Sequence, residues 1–103
     1  MKKKRASLYL AALVCISGTA TDGLMAAEPS GRAIAATCNG CHGPDGMSVG
    51  TVPSLAGREA KFTEQQMQDF KSGKRPSTIM GRIAKGYNDA EIDAVAKYYS
   101  KIK

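Results

Sequence analysis

The pentapeptide CNGCH at residues 38–42 constrains this chain more than any other stretch. It has the form Cys-x-x-Cys-His, which is the pattern for covalent attachment of a c-type haem. Two thiols three positions apart lie on one side of a helical turn, so both reach the two vinyl groups at one edge of a porphyrin. Since the histidine follows directly, its imidazole comes under the iron. We therefore predict one haem c, held by Cys38 and Cys41 and ligated on its proximal face by His42.

A bare Cys-x-x-Cys pair would leave zinc binding and thiol–disulfide chemistry open. A structural zinc site takes four ligands, and the chain beyond residue 27 offers only two cysteines and one histidine. The adjoining His42 and the lack of a second cysteine pair favour haem. A redox dithiol remains as the alternative.

The first 27 residues have the features of a secretory signal peptide. A basic start at residues 2–5 precedes an apolar run at residues 8–17, and small residues follow up to Ala26 and Ala27. The apolar run is shorter than the roughly 20 residues that a membrane-spanning helix needs, so we expect no membrane span. We predict that residues 1–27 are cleaved and that residues 28–103 form the mature domain in the periplasm.

Removal of the leader changes the charge of the chain. The whole sequence has a formal net charge of +6, but residues 28–103 carry 11 Lys and Arg against 8 Asp and Glu, a net of +3. Two haem propionates would offset most of that charge. Because nucleic-acid binding requires a concentrated basic face, we expect no nucleic-acid partner.

The mature part has only 76 residues, and a domain of that size buries a limited core. A haem supplies a large, flat, apolar body that is tethered twice and ligated through its iron. We therefore predict that the chain stays largely unfolded until haem is attached, as small metal domains do without their metal.

Helix breakers and apolar spacing predict an all-α chain with no strands. The expected helices cover residues 29–37, 58–71 and 88–102, and the expected loops cover residues 43–57 and 74–86, the second with at most one helical turn. Asn88 and Glu91 form a capping-box variant at the start of the last helix. On the middle helix one row contains Phe62, Gln66 and Phe70, and we expect the phenylalanines and the neighbouring methionine to pack against the porphyrin.

The distal iron ligand has three methionine candidates in the mature chain. A neutral thioether favours Fe(II) and raises the potential, which suits electron transfer. Met47 lies five residues past His42, on the same side of the haem, and Met67 lies mid-helix, where methionine usually fills the core. Met80 lies 38 residues from His42, in a loop that can cross the distal face. We predict Met80 as the ligand; an open iron, suited to gas binding or peroxidase chemistry, is the alternative.

Pro53 follows His42 by eleven residues, in the glycine-rich and proline-rich loop. A backbone carbonyl at that point can accept a hydrogen bond from Nδ1 of His42, which fixes the orientation of a ligand imidazole. We expect Pro53 to provide it, the alternative being an ordinary turn proline.

Together, the pentapeptide, Pro53, Met80 and a final helix with tyrosines resemble the class I cytochrome c domain, over the whole of residues 28–103. That resemblance implies a small all-α fold wrapped around one covalently bound haem, in which the first and last helices cross. The small residues of the first helix would then meet the tyrosines of the last, in the pairs Gly31 and Ala35, and Tyr98 and Tyr99.

Two stretches, VPSLAG at residues 52–57 and QMQDFKSGKRPSTIMGRIAKGY at residues 66–87, are similar to the small cytochrome subunit of flavocytochrome c sulfide dehydrogenase. The resemblance implies a flavoprotein partner that holds FAD, oxidises sulfide and passes electrons singly to this haem. This chain has no dinucleotide fingerprint, so FAD would belong only to the partner. The chain would be a non-catalytic electron-transfer subunit of a sulfide–cytochrome c oxidoreductase.

Two other classes of function stay open at this point. A free periplasmic electron shuttle would serve several redox proteins without a stable complex, and a haem sensor or peroxidase would bind carbon monoxide at an open iron. Basic residues around Met80 are candidates for docking a redox partner, or else a solvated surface: Lys71, Lys74, Arg75, Arg82 and Lys85.

Overall fold

The computed structural model describes residues 27–103, and the predicted signal peptide therefore lies outside the described residues, except for Ala27. The described part contains four α-helices, one 3₁₀ turn at Pro44–Gly46 and no strand, which confirms the expectation of an all-α chain. The helices are α1 (Gly31–His42), α2 (Ala60–Ser72), α3 (Met80–Ala84) and α4 (Asp89–Ser100).

Helix α1 begins after Ser30, whose hydroxyl accepts a hydrogen bond from the backbone N–H of Ala33. It runs through the whole Cys-x-x-Cys-His pentapeptide, five residues beyond the end predicted at residue 37. A single glycine inside a helix costs only about 0.5–1 kcal/mol, so Gly40 does not stop it. The helix ends at Gly43, whose φ of 89° is incompatible with continuation.

Helix α2 and helix α3 lie on either side of an exposed stretch at residues 73–79. Gly73 ends α2 in the left-handed conformation, with φ 81° and ψ 4°, as expected for a C-terminal glycine. Residues 74–86, predicted to be mostly loop, contain the five-residue helix α3, and Met80 is its first residue.

Helix α4 begins with the capping box that the sequence predicts. The Asn88 side chain accepts from the backbone N–H of Glu91 at 2.9 Å, and the Glu91 carboxylate accepts from the backbone N–H of Asn88 at 2.8 Å. The helix ends at Ser100, two residues before the predicted end.

The hydrophobic core lies where α1 and α4 cross, as the family resemblance implies. Ala35, Val95 and Tyr99 are buried against one another there. A Cβ atom on Gly31 would lie 2.2 Å from the carbonyl oxygen of Ala94. The crossing therefore needs glycine at that position, since any side chain would push the two backbones apart.

Helix α2 packs against both α3 and α4 and completes a cleft beside this core. Within residues 27–103, the longest helix has 13 residues, and none combines the length and apolar character that crossing a bilayer requires.

Candidate haem site

A cleft of about 620 Å³ opens between the end of α1, the following loop, α2 and α3. Its volume falls in the range of about 300–1,000 Å³ that is typical of cofactor and ligand sites. The fold brings all the site residues predicted from the sequence to this one cleft: Cys38, Cys41, His42, Pro53 and Met80.

His42 is the last residue of α1 and is 9% exposed. Its Nδ1 lies 2.6 Å from the carbonyl oxygen of Pro53. Because a carbonyl oxygen can only accept, Nδ1 is the donor in this bond. The bond fixes the orientation of the ring and leaves Nε2 as the nitrogen available to ligate a metal.

Two glycines shape the loop that presents the Pro53 carbonyl. A Cβ atom on Gly43 would lie 2.1 Å from the Met47 carbonyl oxygen, and one on Gly46 would lie 2.5 Å from the Tyr99 ring. The carbonyl oxygen of Gly46 also accepts from the backbone N–H of Leu55 at 2.7 Å. The turn is therefore packed against α4, and it fixes the chain just after Pro53.

Cys38 and Cys41 lie on the last turns of α1, the first half-buried and the second exposed. Burial raises the pKa of the Cys38 thiol, and the contact of its sulfur with the Thr37 hydroxyl at 4.0 Å offsets this only in part. Cysteines of thiol–disulfide sites have a lowered pKa in an electropositive setting. The surroundings of Cys38 therefore disfavour the redox-dithiol alternative.

Helix α4 is linked directly to the pentapeptide through a buried tyrosine. The Tyr99 hydroxyl donates to Oδ1 of Asn39 at 2.6 Å and lies 3.1 Å from the carbonyl oxygen of Ala35. Burial raises the pKa of Tyr99, so the phenol stays protonated and continues to donate. This bond fixes the last turns of α1 relative to the core.

The walls of the cleft are largely apolar, and several of their side chains are exposed. Phe62 is 45% exposed and Ile79 58% exposed, and both line the cleft together with Met67 and Phe70. Large apolar side chains facing an open concave surface are typical of a ligand-binding groove. This lining matches a flat apolar body such as a porphyrin.

The charges along the cleft suit a ligand with two carboxylates. Arg58 and Arg75 line it, and no Asp or Glu occurs among the described lining residues. Each guanidinium lies over a phenyl ring, Arg58 at 5.4 Å from the centroid of Phe62 and Arg75 at 5.1 Å from that of Phe70. Residue types, tethering thiols and charge therefore all fit a haem.

The structure separates the three methionine candidates. Met47 is 48% exposed and does not line the cleft. Met67, from α2, and Met80, from the start of α3, both line it and are half-buried. The cleft geometry thus leaves two of the three.

Sequence reasoning missed two polar features of the wall. Thr63 is buried in the cleft, and Arg58 lies at its rim. Spacing offered a partial signal, because Thr63 is one helical turn from Gln66, which belongs to the row with Phe62. Nothing in the local pattern distinguished Thr63 from an exposed helical threonine.

Comparisons with known proteins point to one family. The Cytochrome c family model matches residues 29–103. The chain is 43% identical over 75 residues to the cytochrome subunit of sulfide dehydrogenase from Chlorobaculum tepidum, which covers 73% of this chain and 68% of that protein. It is 41% identical over 69 residues to the thiosulfate dehydrogenase electron acceptor of Stutzerimonas stutzeri, covering 63% of this chain and 32% of that protein.

Among solved structures, cytochrome c4 of Acidithiobacillus ferrooxidans is similar, with a TM-score of 0.61 and 40% identity over 63% of this chain. The chain spans 38% of that cytochrome c4 chain. For the present chain, three findings agree: the family match, the helical fold, and the cleft lined by both cysteines of the Cys-x-x-Cys-His motif. This chain therefore belongs to the cytochrome c family, as a class I c-type cytochrome that carries one covalent haem c and transfers electrons.

Proposed function

We propose that this protein is the haem subunit of a sulfide-oxidising flavoenzyme and accepts electrons one at a time from a partner that holds FAD. One observation carries the proposal: the similarity to the cytochrome subunit of sulfide dehydrogenase extends over 68% of that protein. The electron acceptor of thiosulfate dehydrogenase and cytochrome c4 are matched over only 32% and 38% of their lengths. The similarity to the sulfide dehydrogenase subunit therefore combines the highest identity of the three with the largest matched share of the relative.

In this proposal each site residue has a defined role. Cys38 and Cys41 would hold the haem through two thioether bonds, and Nε2 of His42 and the thioether of Met80 would ligate its iron. When bound, the haem supplies a one-electron couple between Fe(III) and Fe(II). The Pro53 carbonyl holds the imidazole ring in one orientation through the 2.6 Å hydrogen bond from Nδ1. The apolar wall excludes water, which limits the reorganisation that accompanies a change of charge.

Met80 is favoured over Met67 by its place in the fold. It begins the short helix α3, after a stretch at residues 73–79 that is exposed throughout, whereas Met67 lies in the middle of α2. The backbone N–H of Gly81 donates to the Ser77 hydroxyl at 2.8 Å, which orders the entry to α3. A residue at the end of an open segment reaches across a bound porphyrin more readily than one held within a continuous helix.

The partner would dock on the exposed basic stretch beside the cleft. Lys74 has a side chain that is 75% exposed, and Arg82 and Lys85 are exposed as well. Lys71 is not part of this surface, because it is half-buried and its ammonium donates to the Tyr87 carbonyl at 2.7 Å. Such a surface accelerates association with an acidic partner at low salt.

Export places this reaction in the periplasm in our proposal, with residues 1–27 as the cleaved signal peptide. The intact mass of the protein purified from that compartment tests this directly. A mass that corresponds to residues 28–103 plus one haem is expected, and a mass that includes the leader would contradict it.

Purification of the tagged protein from its source organism tests the proposed partnership. We expect a flavoprotein to copurify, with flavin and haem in near-equal amounts, and sulfide to reduce the haem in the complex but not in the isolated chain. A monomer without flavin that accepts electrons from several donors would instead favour a free periplasmic shuttle, a function that the similarity to other electron acceptors supports.

Charge removal tests the docking surface separately. Lys74→Ala and Lys85→Ala together should slow haem reduction by the partner several-fold at low salt and flatten its salt dependence. Lys97→Ala is the matched control, since Lys97, like Lys74, is an exposed lysine paired with an aspartate, but it belongs to α4 and not to the basic stretch. An unchanged rate and salt dependence in the double variant would remove this surface from the proposal.

A further inference from the structure

The Met80 segment, residues 76–86, has few bonds to the surrounding helices. The backbone N–H of Gly81 donates to the Ser77 hydroxyl at 2.8 Å, within the segment itself. In the described part of the chain, no hydrogen bond or ion pair joins residues 76–86 to α1, α2 or α4. Ala84 is the one buried residue of the segment, and α3 packs against α2. Apart from its two ends, the segment is therefore held to the other helices by packing alone.

Tyr87, the next residue, is bonded both to the segment and to two other helices. Its backbone N–H donates to the carbonyl oxygen of Ala84 at 3.2 Å, and its own carbonyl oxygen accepts from Nζ of Lys71, on α2, at 2.7 Å. Its hydroxyl lies 3.0 Å from Oγ1 of Thr37, on α1. Because the Thr37 hydroxyl already donates to the Ile34 carbonyl at 2.7 Å, the tyrosine hydroxyl is the donor in this bond.

The backbone places Tyr87 with the Met80 segment and not with α4. Its bond to Ala84 continues the turn that follows α3, whereas Asn88 is extended, with φ −84° and ψ 173°, and caps α4. If the segment moves away from the cleft as a unit, Tyr87 moves with it. Its bonds to α1 and α2 then break, so these bonds oppose the opening of the cleft.

The bond from Lys71 is partly enclosed and its donor is charged. The side chain of Lys71 is 31% exposed, whereas that of Lys74, just beyond the end of α2, is 75% exposed. A hydrogen bond from a charged donor is stronger than one between neutral groups, and partial burial strengthens it further. Lys71 therefore contributes more to closing the cleft than an exposed lysine would.

We propose that Tyr87 is a positioning residue for the distal side of the haem. Its bonds to α1 and α2 hold the Met80 segment against the cleft and so limit the access of external ligands to the iron. Thr37 directly precedes Cys38, so one of these bonds ties the segment to the part of α1 that holds the haem. The inference rests on the proposed role of Met80 as the distal ligand, and it is independent of which partner supplies electrons.

Imidazole binding to the ferric, haem-loaded protein tests this role. An external ligand binds only while the segment is open, so its apparent affinity is proportional to the open fraction. Tyr87→Phe removes the donor to Thr37, and Lys71→Met removes the donor to the Tyr87 carbonyl while it keeps an apolar stem. Each should raise the imidazole affinity about fivefold, which is about 1 kcal/mol at 1.36 kcal/mol per tenfold change.

Two matched controls remove comparable groups that do not hold the segment. Tyr98→Phe deletes a hydroxyl that makes no hydrogen bond among the described residues. Gln68→Leu deletes another bond from α2 to the start of α4, to Asp89 at 2.8 Å, which does not involve Tyr87. Both should leave the imidazole affinity unchanged. Thr37→Val should act like Tyr87→Phe, and combining the two should add little, because both remove the same bond.

Gly31→Ala separates positioning from a general loss of stability. A Cβ there would meet the carbonyl of Ala94 at the crossing of α1 and α4, so this variant should lose more stability than Tyr87→Phe does. Its imidazole affinity should nevertheless equal that of the parent protein, because the Met80 segment is untouched. An equal rise in both variants would leave Tyr87 a structural role only and would overturn the inference.

Met80→Ala distinguishes failure of the inference from failure of the ligand assignment. Without the thioether, imidazole should bind far more tightly than in either Tyr87→Phe or Lys71→Met. If Met80→Ala leaves the affinity unchanged, Met80 is not the ligand and the inference fails with that assignment. If Met80→Ala raises the affinity while Tyr87→Phe and Lys71→Met do not, the inference alone is overturned.

Discussion

The two sides of this small domain are built differently. At the crossing, formed by α1 and α4, apolar side chains are buried against other protein atoms. In the cleft wall, formed by α2 and α3, apolar side chains such as Phe62 and Ile79 remain exposed. Helix α4 supplies four of the six buried hydrophobic residues of the described chain, α1 and α3 supply one each, and α2 supplies none. These residues are Ala35, Ala84, Ile92, Val95, Ala96 and Tyr99.

The polar groups follow the same division. At the crossing, the Tyr99 hydroxyl is satisfied by Asn39. In the cleft wall, Thr63 is the only buried residue of α2 and it lacks a partner among the described residues, while Phe62 remains 45% exposed. Protein atoms thus suffice to bury and hydrogen-bond the side chains of the crossing, whereas the side chains of the cleft wall need the haem to cover them. This division explains how a small domain with a limited core of its own can gain stability from its haem.

The largest expected effect comes from blocking haem attachment. Cys38→Ala combined with Cys41→Ala should abolish the cooperative unfolding transition, a loss of at least about 5 kcal/mol, because α2 has no apolar core of its own. Hydrogen exchange should detect residual protection only in α1 and α4. The haem-loaded parent protein is the control. A cooperative transition with a protected α2 in the variant would show that the cleft wall folds without the haem and would contradict the division described above.

A side chain at the helix crossing should have the next largest effect. Gly31→Ala places a Cβ against the Ala94 carbonyl, and overpacking against backbone should destabilise the haem-loaded protein by about 3 kcal/mol or more. Gly40→Ala is the control, since a Cβ there meets nothing within 4 Å. Denaturant unfolding measures both, and equal stabilities would show that the crossing is less tightly closed than the distances indicate.

Removal of the proposed distal ligand should alter the iron more than the fold. Met80→Ala should lower the reduction potential by on the order of 0.1 V, within the roughly 0.8 V that axial ligands span, and open the iron to carbon monoxide. The haem should remain covalently attached and the crossing intact. Met67→Ala is the comparison variant, and the same changes there instead would assign the ligand to Met67.

The smallest expected effect concerns one hydrogen bond at the crossing. Tyr99→Phe removes the donor to Asn39 and leaves a buried amide oxygen unsatisfied, which should lower the free energy of unfolding by about 1–2 kcal/mol. Tyr98→Phe is the matched control, because the hydroxyl of Tyr98 makes no hydrogen bond among the described residues. Equal unfolding free energies would mean that Tyr99 contributes to the crossing through packing alone.

Local chemistry made much of this molecule predictable. The capping box of Asn88 and Glu91 depends on residues three apart, and it appears as expected. The end of α1 was predicted five residues too early, because the pentapeptide continues the helix until Gly43. Helix α1 passes through Gly40 and ends at Gly43, where φ becomes positive. The sequence contains both glycines, but it does not by itself show which of them takes the positive φ.

The amino-acid sequence by itself determined the cofactor chemistry, because the spacing of Cys38, Cys41 and His42 within one helix is a local property. It also determined the all-α class, through breakers and apolar periodicity. Only the tertiary structure decided which side chains share the cleft, that Met47 is outside it, and that Thr63 is buried there without a partner. Burial and hydrogen-bond satisfaction depend on contacts between residues far apart in the chain, and local spacing does not encode those contacts.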